Sequence, residues 1–254
     1  MIESIQNEKI KYLSRLITDN RFRKKNHVFV VEGNQENQRA LQFGFEPVEF
    51  FIAENIFKGK EIAGKSYFVS EKVYDKIAYR GTSEGIIGIY KVKPTALKNF
   101  HSSEHSSLIV VEGVEKPGNL GAIMRSCEAF GIDALVVTDV KADFYNPNVI
   151  RSSVGCIFGL NFFQTSNEEL YEFLKNNQYQ IFTTIMDDNS EPLYNRNFGS
   201  KSAIVFGTEH SGLTEFWTGK GENTLIPTSG TIDSLNLSNA VAIACYEIMK
   251  QKKG

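Results

Sequence analysis

A chain of 254 residues that is 41% hydrophobic and 23% charged is long enough to bury a sizeable core, so neither wholesale disorder nor a need for a disulfide or metal staple is expected. A formal net charge of −2 excludes a surface coated in cations for nucleic acid, but not a local basic patch. Cys127, Cys156 and Cys245 are too few for a disulfide framework, and no Cys-x-x-Cys pair suggests structural zinc. No secretory apolar segment and no apolar run of ~20 residues is present, so the expectation is a cytoplasmic protein with no membrane partner.

Apolar residues Ile5, Ile10, Leu13, Leu16 and Ile17 recur near helical spacing, which predicts a helix over 5–19. The basic run Arg21-Phe-Arg-Lys-Lys25 follows, either as a solvated turn or as a phosphate-contacting patch. Residues 27–31 read as a buried strand ended by Glu32-Gly33, and 34–43 as a helix stopped by Gly44. Strands are predicted at 48–53, 67–69 and 86–92, with a Ser70-capped helix through Ile77. Residues 1–93 thus form a small α/β unit. The polar, serine-rich stretch 94–107 opens with Pro94 and reads as a linker. His101 and His105 within it lack a third ligand, and no metal is expected.

Residues 108–254 form the second unit. Strands at 108–112, 134–138, 180–185, 203–206 and 223–226 alternate with helices at 119–130, 147–154, 167–176 and 236–250. That alternation favours a parallel sheet with helices on both faces. The last helix is apolar nearly all round, from Leu237 through Ala240–Cys245 to Ile248 and Met249, so it is expected to be buried on every side, through a subunit interface or inside the monomer.

Three glycine-bearing loops in this unit carry the candidate chemistry, because ligands of open α/β sheets bind where strands hand over to helices. In the first, Pro117-Gly118 sets a turn, Asn119 is a candidate helix cap, and Gly121 and Arg125 share a helix face. Arg125 either reaches a ligand or pairs with an acid such as Glu128. The second loop, Gly207 to Gly212, contains Glu209 and His210; Glu209 either rigidifies the turn or acts beside His210 in proton transfer. In the third, Pro227 ends a strand, Gly230 allows a tight turn, and Ser234 or Asn236 can cap the last helix. Neither a Walker-type phosphate loop nor a Gly-x-Gly-x-x-Gly fingerprint is present, which disfavours phosphoryl transfer and a Rossmann-type oxidoreductase.

The segments Asn119-Leu-Gly-Ala-Ile-Met-Arg125, Val205-Phe-Gly-Thr-Glu-His-Ser-Gly-Leu213 and Ile226-Pro-Thr-Ser-Gly-Thr-Ile-Asp-Ser-Leu-Asn-Leu-Ser238 resemble, in order and spacing, the motifs of SpoU-type (TrmH-like) RNA 2′-O-ribose methyltransferases of the SPOUT superfamily. Asn148–Gly155 is similar to the segment between the family's first and second motifs, and Arg21–Gly33 to the start of its small substrate-binding domain. Thr228 replaces a frequent methionine, and Asp233 adds a charge beside the third motif.

The resemblance implies a trefoil-knotted, parallel-sheet methyltransferase domain over 108–254, preceded by a ribosomal-protein L30e-like RNA-binding domain over 1–93. It implies a homodimer built partly from the last helix. The cofactor would be S-adenosylmethionine, contacted by Gly207, Ile226 and Leu235, with Thr184 and Ser238 also assigned to its site. Arg125 would meet the ribose 2′-oxygen, as an activated base or as a phosphate and alkoxide clamp, with Asn119, Glu209, Ser234 and Asn236 arranging it. RNA contacts fall to Arg21, Arg23, Lys24 and Lys25, with Arg39 and Arg80 as weaker candidates. The expected substrate is 23S ribosomal RNA, with transfer RNA as the alternative. Rival readings are a non-catalytic RNA-binding protein and a base methylase of the same fold.

Overall fold

The structure is a computed structural model that describes residues 1–253 except 61, 80–83, 140–141, 188 and 232–233, so Arg80 and Asp233 lie outside the described residues. The chain divides into two compact units, residues 1–94 with 143–159, and residues 95–142 with 160–254.

The first unit contains α1 (Glu8–Thr18), α2 (Asn20–Asn26), β1 (Val28–Glu32), α3 (Asn34–Gln42), β2 (Pro47–Ile52), β3 (Ser66–Phe68), α4 (Glu71–Ile77) and β4 (Ile86–Lys91). Its sheet runs β1-β4-β2-β3, with β4 antiparallel to β1 and β2, and β3 parallel to β2. The helical spacing of Ile10, Leu13, Leu16 and Ile17 directs one face of α1 into a core with Val28, Val30, Phe51, Ile87 and Ile89. The basic run is helical, not a turn. Asp19 accepts from Phe22 N at 3.0 Å and restarts a helix where α1 ends, and His27, at φ 52°, closes it.

This placement removes one predicted RNA contact. Arg23 is 4% exposed, and its guanidinium donates to Leu16 O, to Ile17 O at 3.0 Å and to the Asp143 carboxylate. It is a structural cation, whereas Arg21, Lys24 and Lys25 on the same short helix are exposed. Arg39 is half-buried, and its Nε donates to Gly155 O at 3.2 Å.

The second unit contains β5 (Ser106–Glu112), α5 (Pro117–Ala129) and β6 (Ala134–Thr138). After α6 (Pro147–Ser152) it resumes with β7 (Phe162–Gln164), α7 (Asn167–Asn176), β8 (Gln180–Thr183), β9 (Glu191–Pro192), β10 (Lys201–Phe206), β11 (Glu222–Leu225) and α8 (Leu237–Lys253). Seven strands form one sheet in the order β7-β6-β5-β10-β8-β11-β9, and every pairing is parallel. All seven residues of β5 are buried, as a central strand covered on both faces requires. On one face Leu108, Val110, Ala134, Val136, Ala203 and Val205 pack with Leu170 and Leu174 of α7 and with Trp217.

The domain boundaries differ from those expected. The linker is shorter than 94–107, because Leu97 is buried and β5 already pairs with β10 at Ser106. Residues 143–159, with α6, group with the first unit instead of 108–254. Phe29 stacks on Tyr145 at 4.3 Å, and Arg23 pairs with Asp143. Contacts across more than a hundred residues leave no local pattern to read. Strands β7 and β9 were not expected; at three and two residues they are too short to show alternation.

Within the single chain, helix α8 leaves part of its apolar surface open. Leu237, Val241, Ala244, Cys245 and Ile248 are buried, but Ile243 is 41% and Tyr246 52% exposed, with Tyr246 edge-on to Phe130 at 5.9 Å. Cys127 and Cys245 are free, buried neighbours; the hydrogen bond between them and burial push the Cys127 thiol well up. Among the described residues no helix is long and apolar enough to cross a membrane, and no group of three or more His, Cys, Asp or Glu could hold a metal.

The buried Arg23 gives a direct test of its reassignment. Arg23→Ala leaves Asp143 without its cation and is expected to cost about 3–5 kcal/mol of stability. Lys24→Ala and Lys25→Ala should stay within about 0.5 kcal/mol. Urea unfolding of the three variants measures this; equal effects would return Arg23 to the surface.

Candidate active site

The C-terminal ends of β5, β10, β8 and β11 lie side by side in the sheet. The loops that leave β8, β10 and β11, with the start of α8, line one cleft of about 330 Å³. Its walls carry Thr184 and Met186 after β8, Gly207 to His210 and Gly212 after β10, Leu225, Ile226 and Thr228 at the end of β11, and Ser234, Leu235, Leu237 and Ala240 at α8.

The loop after β10 is shaped by its glycines. A Cβ on Gly207 would lie 2.0 Å from Gly212 C and 2.2 Å from Gly212 O, so no larger residue fits. Gly212 adopts φ 65°, where glycine carries little steric cost. Thr208 and Gly212 exchange backbone hydrogen bonds of 3.0 and 3.1 Å, and Ser211 N donates to Thr208 Oγ1 at 3.0 Å. This closed bend holds out Glu209 and His210.

Glu209 gathers donors from two other loops. Its Oε1 accepts from Asn119 Nδ2 at 2.8 Å, Asn236 Nδ2 at 2.6 Å and Leu237 N at 3.4 Å. Its Oε2 accepts from Lys116 Nζ at 2.8 Å. Lys116 first, then Asn119, holds the carboxyl below the usual carboxylate range, while Glu209 pushes the Lys116 ammonium up. Glu209 is therefore ionised throughout the neutral range, and the ion pair is lost only as pH falls through that lowered value.

The two asparagines reach Glu209 for different reasons. Lys116 takes the N-cap position of α5 and Pro117 its first turn, so Asn119 lies inside the helix rather than at the expected cap. Its amide is left for Glu209. Asn236 does cap α8: its carbonyl accepts from Ala240 N at 3.0 Å, and its Oδ1 accepts from Ser238 N at 3.0 Å and Ser238 Oγ at 2.7 Å. With Oδ1 so used, Nδ2 faces Glu209.

Other predicted residues sort plainly. Gly207, Ile226, Leu235, Thr184 and Ser234 line the cleft, and the Thr184 hydroxyl donates to Val205 O at 3.0 Å. Ser238 is absent from the lining, because its hydroxyl is spent on Asn236. Arg125 is exposed on α5, four residues after buried Gly121; it enters no ion pair among the described residues, so the pairing with Glu128 is not formed.

Three contributors escaped the sequence reading. Lys116 carries no signal in the sequence, where it is one lysine before a proline. Glu112 is buried at the end of β5, where it accepts from Thr214 N at 2.8 Å, Thr214 Oγ1 at 2.7 Å and Asn167 Nδ2, tying down the far end of the Glu209 loop. An acid closing an apolar strand was the signal available for it. Met186, 71% exposed on the cleft wall, gave no signal.

A parallel α/β domain with a cleft at the carboxyl ends of its strands defines the class of open-sheet domains that bind a ligand where strands hand over to helices. The SpoU rRNA Methylase family model matches residues 106–246, and an MRM3-like substrate binding domain model matches residues 7–88. The chain belongs to the SpoU rRNA methylase family. It is 26% identical over 250 residues to the Bacillus subtilis 23S rRNA (guanosine(2553)-2′-O)-methyltransferase RlmP, covering 97% of this chain and 98% of that protein. A crystal structure of an RNA 2′-O ribose methyltransferase superposes with a TM-score of 0.88 at 32% identity, covering 100% of this chain and 99% of the other. An AdoMet-bound rRNA methyltransferase from Sinorhizobium meliloti shares the fold, with a TM-score of 0.89 at 23% identity over 98% and 97% of the two chains.

The cleft depends on main chain at Gly207, so Gly207→Ala is expected to weaken S-adenosylmethionine binding at least about tenfold, or ~1.4 kcal/mol. Isothermal titration calorimetry checks it, and wild-type affinity would show that the bend is not part of the donor site.

Proposed function

We propose that this chain methylates a ribose 2′-hydroxyl of 23S ribosomal RNA, with Arg125 at the reacting oxygen and Glu209 holding the loops around it. The enzyme class follows from the family: an S-adenosylmethionine-dependent RNA ribose 2′-O-methyltransferase. The observation that carries the role of Glu209 is the convergence of Lys116, Asn119, Asn236 and Leu237 N on its carboxylate, and Arg125 follows Asn119 on the same helix. Ribosomal RNA is preferred to transfer RNA because the end-to-end similarity is to a 23S rRNA enzyme.

The cleft suits the donor. Its ~330 Å³ lies within the ~300–1,000 Å³ of small-molecule sites. Phe206, Leu225, Ile226 and Leu235 supply apolar walls, and the glycine bend and the main chain near Ile226 and Leu235 supply neutral hydrogen-bonding groups. Those groups match an adenine better than charges would. When bound, S-adenosylmethionine supplies an electrophilic methyl on a sulfonium that is already an excellent leaving group.

The chain must then supply alignment and manage the hydroxyl proton. Glu209 is a poor proton acceptor, since its carboxylate is occupied and held ionised. Arg125 is a poor one too, because a guanidinium offers donors and no acceptor. An exposed arginine with no ion pair among the described residues suits a clamp on the neighbouring phosphate that also stabilises a developing alkoxide.

The small unit holds the RNA in this reading, which its substrate-binding-domain match supports. Arg21, Lys24 and Lys25 are its exposed cations on α2. An L30e-like small domain, a trefoil knot in the strand-end loops, and a homodimer through the exposed Ile243 and Tyr246 of α8 complete the reading. Cytoplasmic residence fits an enzyme of ribosomal RNA.

Two outcomes follow. Arg125→Ala should lower kcat by roughly 10²–10³, the scale of a lost transition-state donor, while leaving calorimetric donor affinity intact; parallel loss of both would make Arg125 structural. Replacing Arg21, Lys24 and Lys25 together with Gln should flatten the log–log salt dependence of RNA affinity by roughly two units, at ~0.7–0.9 per contact. An unchanged slope removes α2 from the RNA surface.

A further inference from the structure

Lys116 is neither of the paired asparagines nor the arginine, yet among the described residues it alone donates to one oxygen of Glu209, at 2.8 Å, while the other oxygen takes three donors. We propose that Lys116 is a positioning residue, a dedicated counter-ion that fixes the plane of the Glu209 carboxylate so that its second oxygen stays aimed at Asn119 and Asn236. The inference rests on the reading that Glu209 organises the site.

The geometry favours this over an incidental surface pair. An exposed ion pair is usually worth little, partly because both side chains must be immobilised. Here part of that ordering is already done. Pro117 restricts the residue before it to extended backbone, and Lys116 sits at φ −81° and ψ 120°. Glu209 is held from the other side by two amides and a backbone N–H, with its side chain 24% exposed against 68% for Lys116. Without the lysine, the outer oxygen faces solvent alone, and the carboxylate can rotate and exchange its two oxygens. The amides then lose a fixed acceptor. Charge points the same way. Lys116 neutralises Glu209, which leaves Arg125 as a cation without an anionic partner among the described residues, available for a phosphodiester.

The alternative is that Lys116 touches RNA directly, and a double-variant cycle separates the two. The probe is an unmodified 23S rRNA transcript with S-adenosylmethionine, assayed for kcat, for KM of the RNA and, by calorimetry, for donor affinity. Lys116→Met is expected to lower kcat roughly fivefold, the upper range for an exposed pair, with donor affinity and RNA KM unchanged. Lys116→Arg should restore most of it. In a Glu209→Gln background, Lys116→Met should have no further effect, because the group it acts through is gone. Unchanged kcat in Lys116→Met overturns the proposal, as do losses that multiply in the double variant or a raised RNA KM. Full turnover in Glu209→Gln is a separate outcome: it would remove Glu209 from the site and the lysine's role with it.

Discussion

One carboxylate closes this site. Glu209 takes a donor from Asn119, 90 residues earlier in the chain, and another from Asn236, 27 residues later. Three loops that share no local sequence are thereby pinned to one point. The interaction works because each partner's competing options are already used. Asn236 spends its oxygen on the α8 cap, and Asn119 has lost the cap position of α5 to Lys116. A carboxylate with several donors stays ionised, so the node holds across the pH range in which RNA chemistry runs.

The sheet makes that convergence possible. β5, β10, β8 and β11 are consecutive in space, though not in sequence, and their parallel register brings their ends level. Val111 lies opposite Phe206, so the turns into α5 and into the Glu209 bend start from the same height. Glu112 then bonds Thr214 and secures the bend's far side from within the core. Gly207 sets its near side, where any Cβ would strike Gly212. The cleft between these supports is walled mainly by apolar side chains and main chain, which suits a neutral heterocycle, and the charges sit at its rim.

Much of this was legible in the residues. Strand and helix alternation located nearly every long element of the second unit, because buried parallel strands read as continuous apolar runs. The three glycine-bearing loops marked the site, and Gly207, Ile226, Leu235 and Thr184 do line one cleft. What escaped was tertiary. Arg23 looked identical to Lys24 and Lys25, since burial against Asp143 depends on a partner 120 residues away. Ser238 looked like a site residue, but its position two after a capping asparagine spends its hydroxyl locally. Lys116 is distinguished only by its contact with Glu209, 93 residues further along the chain. Helix α8 is apolar nearly all round, and its composition does not reveal that Ile243 and Tyr246 are the residues left open within one chain.

The central claim is that the methyl donor lies between the Gly207 bend and the Ile226 and Leu235 turns, with its reactive end toward Arg125. A crystal structure of the protein with S-adenosylmethionine tests this most directly. The account predicts the adenine against the main chain of that cleft and the methyl group facing the α5 side, where Arg125 and Asn119 stand. A donor bound elsewhere on the chain, or in the cleft with its methyl turned away from α5, would contradict it.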